Sequence, residues 1–346
     1  MRKFEDYVPI IVQTRKGDVP IEDIHVGDIV YGFETGEEYE VQSVIDSFQD
    51  VVYEVTYNDG RVEYYREFEL IYTGDTFINL ATLFKQDDPL GNASMDLKPH
   101  QIDYTKNIVV ESLSPDPYIA GALLIHGNRR EKYLNLPLDR FAANQHFAHK
   151  YQLNYGNRLE NNMVFFSYNG APDDRLITWE EFFPNSIMDR TKDSFLIPSE
   201  YQRASVDDRW QFIRGVFDIG YTKDMFLYGC GIANVSENRL TEVQKILWSL
   251  GVLSTITYDP RLPAARGREF RLDLQIDPNT YPRFFYYIDF IEDMILNEQR
   301  FVRRDPEFKL RFRSAKLYGR GYAKNLVLDK PQALYLTSNF LPRISV

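Results

Sequence analysis

Two stretches decide how this sequence is read: Tyr118-Ile119-Ala120-Gly121-Ala122-Leu123-Leu124-Ile125-His126-Gly127 and Arg209-Trp210-Gln211-Phe212-Ile213-Arg214-Gly215-Val216-Phe217-Asp218-Ile219-Gly220-Tyr221. Each reads as an apolar helix with a central glycine, and Gly121 and Gly215 stand 94 residues apart. The segments that succeed these two runs are also alike. After the first, Tyr133–Lys150 mixes strand and helix signals. After the second, Leu240, Val243, Ile246, Leu247 and Leu250 are spaced as an amphipathic helix face. Ser236, three residues before Arg239, starts that helix and Gly251 stops it. Strands are expected at Val252–Tyr258 and Phe270–Ile276, with the loop Pro260–Gly267 between them and a helix over Tyr281–Leu296. Two αβ units of one shape point to an internal duplication.

Outside this middle the texture is β. Val8–Thr14 is apolar and β-branched, and Arg15-Lys16-Gly17-Asp18 reads as a turn. Val51–Tyr57 alternates with period two into Asn58-Asp59-Gly60, a hairpin signal, with Arg61–Tyr72 as the returning strand. Asn325–Ile344 is again strand-like. A β beginning, an α/β middle and a β ending predict an α+β protein with one domain inserted in a loop of another. Charge agrees with two ends that fold together. Residues 1–110 hold 9 Lys+Arg against 22 Asp+Glu, residues 111–310 hold 24 against 28, and residues 311–346 hold 7 against 1.

The chain's 346 residues, 44% hydrophobic, suffice for two or three domains with real cores. No window approaches the roughly 20 apolar residues that a bilayer demands, and Met1–Asp6 has charge without an apolar stretch behind it, so an intracellular, soluble, cytoplasmic protein is expected. One cysteine, Cys230, excludes an internal disulfide or a multi-cysteine zinc site, and between Gly229 and Gly231 it reads as a small buried hydrophobe. A net charge of −11 argues against a general nucleic-acid binder.

The opening, Thr14–Gly17 and then Pro20-Ile21-x-x-Ile24-x-x-Gly27-Asp28-x-Val30, resembles the start of a Hint domain, the fold of inteins and hedgehog autoprocessing modules. Val51–Tyr72 is similar to its next strand pair. Leu326–Asp329 and Ala333–Phe340 are similar to an intein's closing strands. The resemblance implies a discontinuous Hint-like domain of residues 1–110 and 311–346. Splicing in that family needs an initial Cys or Ser, a histidine that polarises the scissile amide, and a terminal His-Asn pair. Here the nucleophile position falls near Glu5, with no Cys or Ser in residues 1–13. The Thr-x-x-His position falls near Tyr65–Glu69, which has no histidine. Pro342-Arg343-Ile344-Ser345-Val346 stands where His-Asn is expected. Self-splicing is therefore not expected.

The two glycine-centred runs resemble the paired helices of LAGLIDADG homing endonucleases, whose glycines let the helix backbones approach closely. An acidic residue ending each helix holds divalent metal at the scissile phosphates. The resemblance implies a pseudo-twofold αββαββα-type domain over residues 111–310, with Gly121 and Gly215 as packing glycines. His126 stands where the first acid belongs. Gly220 stands at the second, unless the acid is deleted and Asp218 leads directly into Ile219-Gly220. Asp218 lies about 200° around the helix from that position. Asp224 is a further acid that could move into the second place. An imidazole is a poor substitute for a bridging carboxylate toward magnesium, so Mg²⁺ is expected as cofactor only if cleavage survives.

Strands of this family saddle the duplex. The residues here that would do so are Arg129 and Arg130 after the first helix and Arg261, Arg266, Arg268 and Arg271 after the second. His146 and His149 have a zinc-compatible spacing but no Cys or carboxylate partner, and read as solvent-facing. His25 and His100 have no evident role. The combined reading is an intein-derived protein without splicing or cleavage, acting as a binding or structural component with protein partners. Such elements reside in phage and microbial genomes, which makes a virion component one expected home. The alternatives are a working LAGLIDADG endonuclease on double-stranded DNA and a non-catalytic, sequence-specific DNA-binding protein.

Overall fold

Asn58-Asp59-Gly60 closes the expected hairpin, with Gly60 at φ +92°, a left-handed conformation that costs glycine little. Around it, the computed structural model describes residues 7–33, 36–85, 94–95, 101–106, 112–127, 132–137, 141–160, 163–169, 175–183, 197–220, 231–234, 236–259, 269–275, 283–285 and 310–346. The chain divides into two compact units. One comprises Met1–Asp103, Trp248–Leu253 and Glu307–Val346, the other Tyr104–Leu247 and Ser254–Pro306.

The first unit opens with β1 (Ile11–Thr14), β2 (Gly17–Pro20), a 3-10 turn at Ile21–Asp23, β3 (Ile29–Tyr31) and β4 (Glu38–Asp46). It continues through β5 (Asp50–Tyr57), β6 (Val62–Arg66), β7 (Ile71–Tyr72), β8 (Phe77–Ile78), α1 (Leu80–Leu83) and β9 (Ser94–Met95). In the second unit lie α2 (Pro117–His126), β10 (Asn135–Pro137), α3 (Phe141–Lys150), β11 (Leu153–Glu160), β12 (Met163–Tyr168), α4 (Trp179–Phe182) and α5 (Ser199–Gln202). Next come α6 (Val206–Gly220), β13 (Gly231–Asn234), α7 (Glu237–Ser249), β14 (Leu253–Asp259) and β15 (Glu269–Gln275). The chain closes in the first unit with β16 (Leu310–Gly321), β17 (Lys324–Leu328), β18 (Leu334–Leu336) and β19 (Pro342–Ile344).

In the first unit the sheets run β17-β4-β3-β1-β2 and β6-β5-β16-β9. The basic closing segment thus lies antiparallel to the acidic opening one, with Lys316 opposite Glu54 and Leu326 opposite Val44. Val12, Val30, Val41, Val52, Leu326 and Tyr335 share one buried cluster. Two details differ from expectation. The return strand is not continuous over Arg61–Tyr72: it stops at Arg66, because the Glu69 N–H donates to the Arg66 carbonyl (3.1 Å) and the Glu69 carboxylate accepts from the Arg66 N–H (3.2 Å), closing a turn. The first turn needs only Arg15-Lys16, since Gly17, at φ +129°, already starts β2.

In the second unit the duplication is visible in the topology. Each repeat, as described, runs helix, strand, helix, strand, strand: α2-β10-α3-β11-β12 and α6-β13-α7-β14-β15. The sheets β10-β12-β11 and β13-β15-β14 have the same order. The expected αββαββα pattern puts two strands between the helices of a repeat, and one is described in each. Local signals set the helix ends. Asp116 caps α2 by accepting the Tyr118 N–H (3.1 Å), with Pro117 in the first turn, where its missing N–H costs nothing. Every residue of α2 from Pro117 to Ile125 is buried, as suits a helix apolar on all sides. Ser205 accepts from the Asp208 N–H (3.1 Å) at the start of α6. The Ser236 hydroxyl accepts from Arg239 (3.4 Å) at the start of α7, and Gly251, at φ +79°, comes after its end. Among the described residues no helix is long and apolar enough to cross a membrane. Arg283–Phe285 is the described part of the helix expected over Tyr281–Leu296, and the loop Pro260–Gly267 lies outside the described residues.

Candidate functional site at the base of the paired helices

Helices α2 and α6 pack at their glycines. A Cβ on Gly121 would lie 2.1 Å from the Phe212 carbonyl oxygen, and one on Gly215 would lie 1.8 Å from the Tyr118 carbonyl oxygen. These two contacts are one contact repeated: adding 94 to 121 and subtracting 94 from 212 exchanges them. Backbone lies against backbone at both places, so only glycine fits at either.

The same symmetry pairs positions 126 and 220 at the C-terminal ends of the helices. A Cβ on Gly220 would meet the His126 ring, 2.5 Å from Cε1 and 2.6 Å from Nε2, and Ile232 Cγ2 at 3.1 Å. The imidazole therefore fills the space that a side chain at 220 would need. Its Nε2 hydrogen-bonds the Val216 carbonyl (2.8 Å), a donor role that fixes the proton on that nitrogen. Arg239 closes the C-terminal end of α2, its Nη1 donating to the carbonyls of Ile125 (2.6 Å) and Gly127 (3.3 Å). Sequence reasoning missed that guanidinium; its signal is only a cation in the first turn of an amphipathic helix.

Asp218 points elsewhere, as 200° of helix requires. Its Oδ2 accepts the Tyr118 hydroxyl at 2.8 Å, from the first turn of α2. A divalent metal of the kind the resemblance implies would need hard oxygen donors converging at positions 126 and 220. An imidazole committed to a carbonyl, a glycine, and a carboxylate held by a tyrosine do not fit it. Among the described residues no group of three or more His, Cys, Asp or Glu is placed to hold a metal ion.

Of the arginines proposed to face DNA, Arg271 lies on β15 with its Nε donating to Asp273 Oδ1 (2.6 Å). Arg129, Arg130, Arg261, Arg266 and Arg268 lie outside the described residues, as do Asp224, Cys230, His100 and the segment around Glu5. His146 and His149 are on α3, and His149 is exposed; His25 is exposed in the loop before β3.

In the first unit, the positions compared with the splicing centre form a buried ionic corner. Arg343 on β19 is bracketed by Glu63 (3.6 Å) and Glu69, and its Nη2 donates to the Tyr64 carbonyl. Glu63 is 2% exposed and Arg343 4%. Burial pushes the Glu63 carboxyl above its ordinary range, opposed by the Arg343 charge and the Thr337 hydroxyl. Burial alone would pull Arg343 down, but Glu69 and Glu63 more than reverse it, so the guanidinium stays charged. Beside it Arg61 bonds Asp59 (2.7 Å) and donates to the carbonyls of Asn339 (3.2 Å) and Phe340 (3.3 Å). These groups fasten the closing strand. None of the chain's five histidines, nor Cys230, falls within Glu63–Glu69 or Thr337–Val346.

Neither a protein-family model nor a curated protein matches the chain. Among solved structures it is similar to the gp41-1 intein, at 28% identity and a TM-score of 0.20, over 22% of this chain and 57% of the intein. It is also similar to mesophilic variants of the homing endonuclease I-DmoI, at 15% identity and a TM-score of 0.32, over 52% of this chain and 94% of that one. The structure of I-DmoI in complex with DNA and Ca is similar at 13% identity and a TM-score of 0.31, over 52% of this chain and 87% of that one. The chain thus spans about half the length of the intein it resembles and most of the length of the endonuclease.

Proposed function

We propose that this chain is a relic of a mobile intein, a Hint-like domain of residues 1–110 and 311–346 enclosing a LAGLIDADG-like domain of residues 111–310. It neither splices nor cuts DNA, and it acts as a binding or structural component with protein partners, a phage particle being one such setting. The observation that carries this reading is the His126 ring packed on Gly220. Metal-assisted phosphodiester cleavage needs carboxylate oxygens held at both helix ends, and here one end presents an imidazole bonded to Val216 and the other has no side chain. The helix pair keeps its packing glycines without its acids. The ionic corner around Arg343 supports the same reading for splicing, since it replaces general-acid and nucleophilic groups with a static clamp.

The test is a cleavage and mobility-shift assay of the purified chain on a pooled duplex library with Mg²⁺ or Mn²⁺, across a salt series. No cutting is expected with either metal. Cutting that Asp218→Asn abolishes would overturn the proposal and assign the metal to a rebuilt site. Duplex binding without cutting, steeply weakened by salt, would make DNA the retained ligand of the old scaffold.

A further inference from the structure

Strand β16 reads Leu310-Arg-Phe-Arg-Ser-Ala-Lys-Leu-Tyr-Gly-Arg-Gly321, with four cations and no acid in a chain of net charge −11. Arg311, Arg313, Lys316 and Arg320 are all exposed. Aromatic rings are interleaved with them. Tyr318 is 40% exposed and Tyr322, just past the strand, 41%. Tyr318 packs against Tyr64 at 4.9 Å and Tyr322 against Tyr7 at 6.2 Å, so both rings have fixed neighbours without being covered. Lys324 adds a fifth cation, 5.7 Å from the Tyr7 ring.

The strand's pairing explains how this face is presented. On one side β16 pairs with β5 along most of its length; on the other, among the described residues, β9 pairs with Leu310 and Arg311. The register slips between Phe312 and Ser314 and again between Leu317 and Gly319, so Arg313 and Tyr318 are the extra residues of two bulges. The acids facing these cations are Glu54, in register with Lys316 and accepting the Tyr64 hydroxyl at its Oε2 (3.1 Å), and Asp46, in register with Lys324. Asp50 stands opposite Gly321 with its Oδ1 accepting the Val51 N–H.

Charged residues on a strand edge protect it against pairing with other chains. That purpose would be met by the cations alone and gives no reason for half-exposed tyrosines between them. Cations set along a line, with rings offered face or edge to solvent, are the pattern by which proteins hold single-stranded nucleic acid: cations take the phosphates and bases stack on the rings. From Arg311 to Tyr318 the strand spans about 23 Å at roughly 3.3 Å per residue, long enough for several nucleotides. Lys316 pairs with Glu54 and Arg320 with Val51, three residues apart on β5, so Arg320 and Tyr322 point to the other face of the sheet. We propose that the face of β16 shared with Glu54 and Tyr64, with Arg311, Arg313 and Lys316 on phosphates and Tyr318 on a base, binds single-stranded nucleic acid. This site is independent of the paired helices and of their proposed loss of cleavage.

The test is fluorescence anisotropy of the full chain with a labelled, mixed-sequence single-stranded DNA of about 20 nucleotides, longer than the roughly 4–16 that one such surface occupies. Measurements run over a salt series. The variant R311Q/R313Q/K316Q is compared with the parent, and Tyr318→Ala separately. Each phosphate contact contributes about 0.7 to the slope of log affinity against log salt, so the threefold variant should lose up to about 2.1 of it. Tyr318→Ala should weaken binding about tenfold at constant salt with the slope unchanged. All three substituted side chains are exposed, so the melting temperature should hold; if it falls, the single reversals R313E and K316E carry the test. An unchanged slope in a folded variant, no binding by the parent at low salt, or tighter binding of the same sequence as a duplex would each overturn the proposal.

Discussion

A methyl group at position 220 tests the base of the helix pair directly. In Gly220→Ala the new Cβ would lie 2.5 Å from His126 Cε1, whereas carbon atoms rest at about 3.5–4.0 Å, so the ring must retreat by about 1 Å. The ring is held by its 2.8 Å bond to the Val216 carbonyl, and a shift of that size breaks it. The lost bond costs about 0.5–1.5 kcal/mol and the disturbed packing a similar amount. Alanine's better helix propensity returns up to about 1 kcal/mol, less at a helix end. The expected result is a net destabilisation of about 1 kcal/mol.

With His126 already replaced by alanine the sign changes. The methyl then enters space the imidazole has vacated, and Gly220→Ala should be neutral or stabilising by about 0.5 kcal/mol. The coupling between the two sites is therefore about 1.5 kcal/mol. It is read from urea denaturation of the four members of the cycle: parent, G220A, H126A and the double variant. Independent sites add to within about 0.5 kcal/mol. Additivity at that level would show that the ring does not occupy the second acid's place, and the exclusion of a metal there would lose its ground.

The helix crossing should be far less forgiving. Gly121→Ala and Gly215→Ala each drive a methyl into a backbone carbonyl that cannot turn aside, so each should cost about 3–5 kcal/mol despite the propensity gain, and the two should agree within about 1 kcal/mol. Thermal unfolding measures both; stabilisation by either would refute the close crossing. Arg343→Met leaves Glu63 and Glu69 buried without their cation and should cost about 3–5 kcal/mol, whereas exposed Arg313→Met should stay within about 0.5 kcal/mol. Glu63 gives a pH signature. Its carboxyl is raised in the fold, so the native state holds a proton that the unfolded chain releases. Stability should then fall as pH rises from the ordinary glutamate range to the raised value and level off above it. Glu63→Gln should flatten that part of the profile, and a profile identical to the parent's would assign the slope to another group.

How much of this is legible in the sequence depends on the range of the interaction responsible. Asp116 before Pro117, Ser236 before α7, Gly251 after it, and Asn58-Asp59-Gly60 act within a few residues, and each does in the structure what its chemistry predicts. The glycine-centred helices are legible because an apolar run repeated at 94 residues is a strong pattern. Strand β16 escapes a sequence reading because its alternation breaks at Arg313 and Tyr318, the two bulge residues, and a strict period-two pattern fails there. The break of the return strand at Arg66 depends on one turn closed by Glu69. The Arg343 corner is hidden for a different reason: Glu69 and Arg343 are 274 residues apart, and nothing local marks either as a partner.

The glycines and the acids of the motif that these helices resemble answer to different forces, and on the proposed reading this explains how one persists without the other. The glycines are fixed by backbone packing, and replacing either costs several kcal/mol of folding free energy, a large share of what a domain has. The acids have no such support. Two carboxylates brought together where residues 126 and 220 meet would repel each other and lose hydration, which opposes folding unless a cation sits between them. If cleavage is lost as proposed, folding alone retains Gly121 and Gly215 and favours whatever neutral group fills the gap. An imidazole that bonds the Val216 carbonyl and covers a glycine is such a group. The first unit obeys the same physics. Glu63 and Glu69 on one segment and Arg343 on another compensate each other's charge, and a buried pair of that kind holds a strand in register whether or not any chemistry takes place beside it.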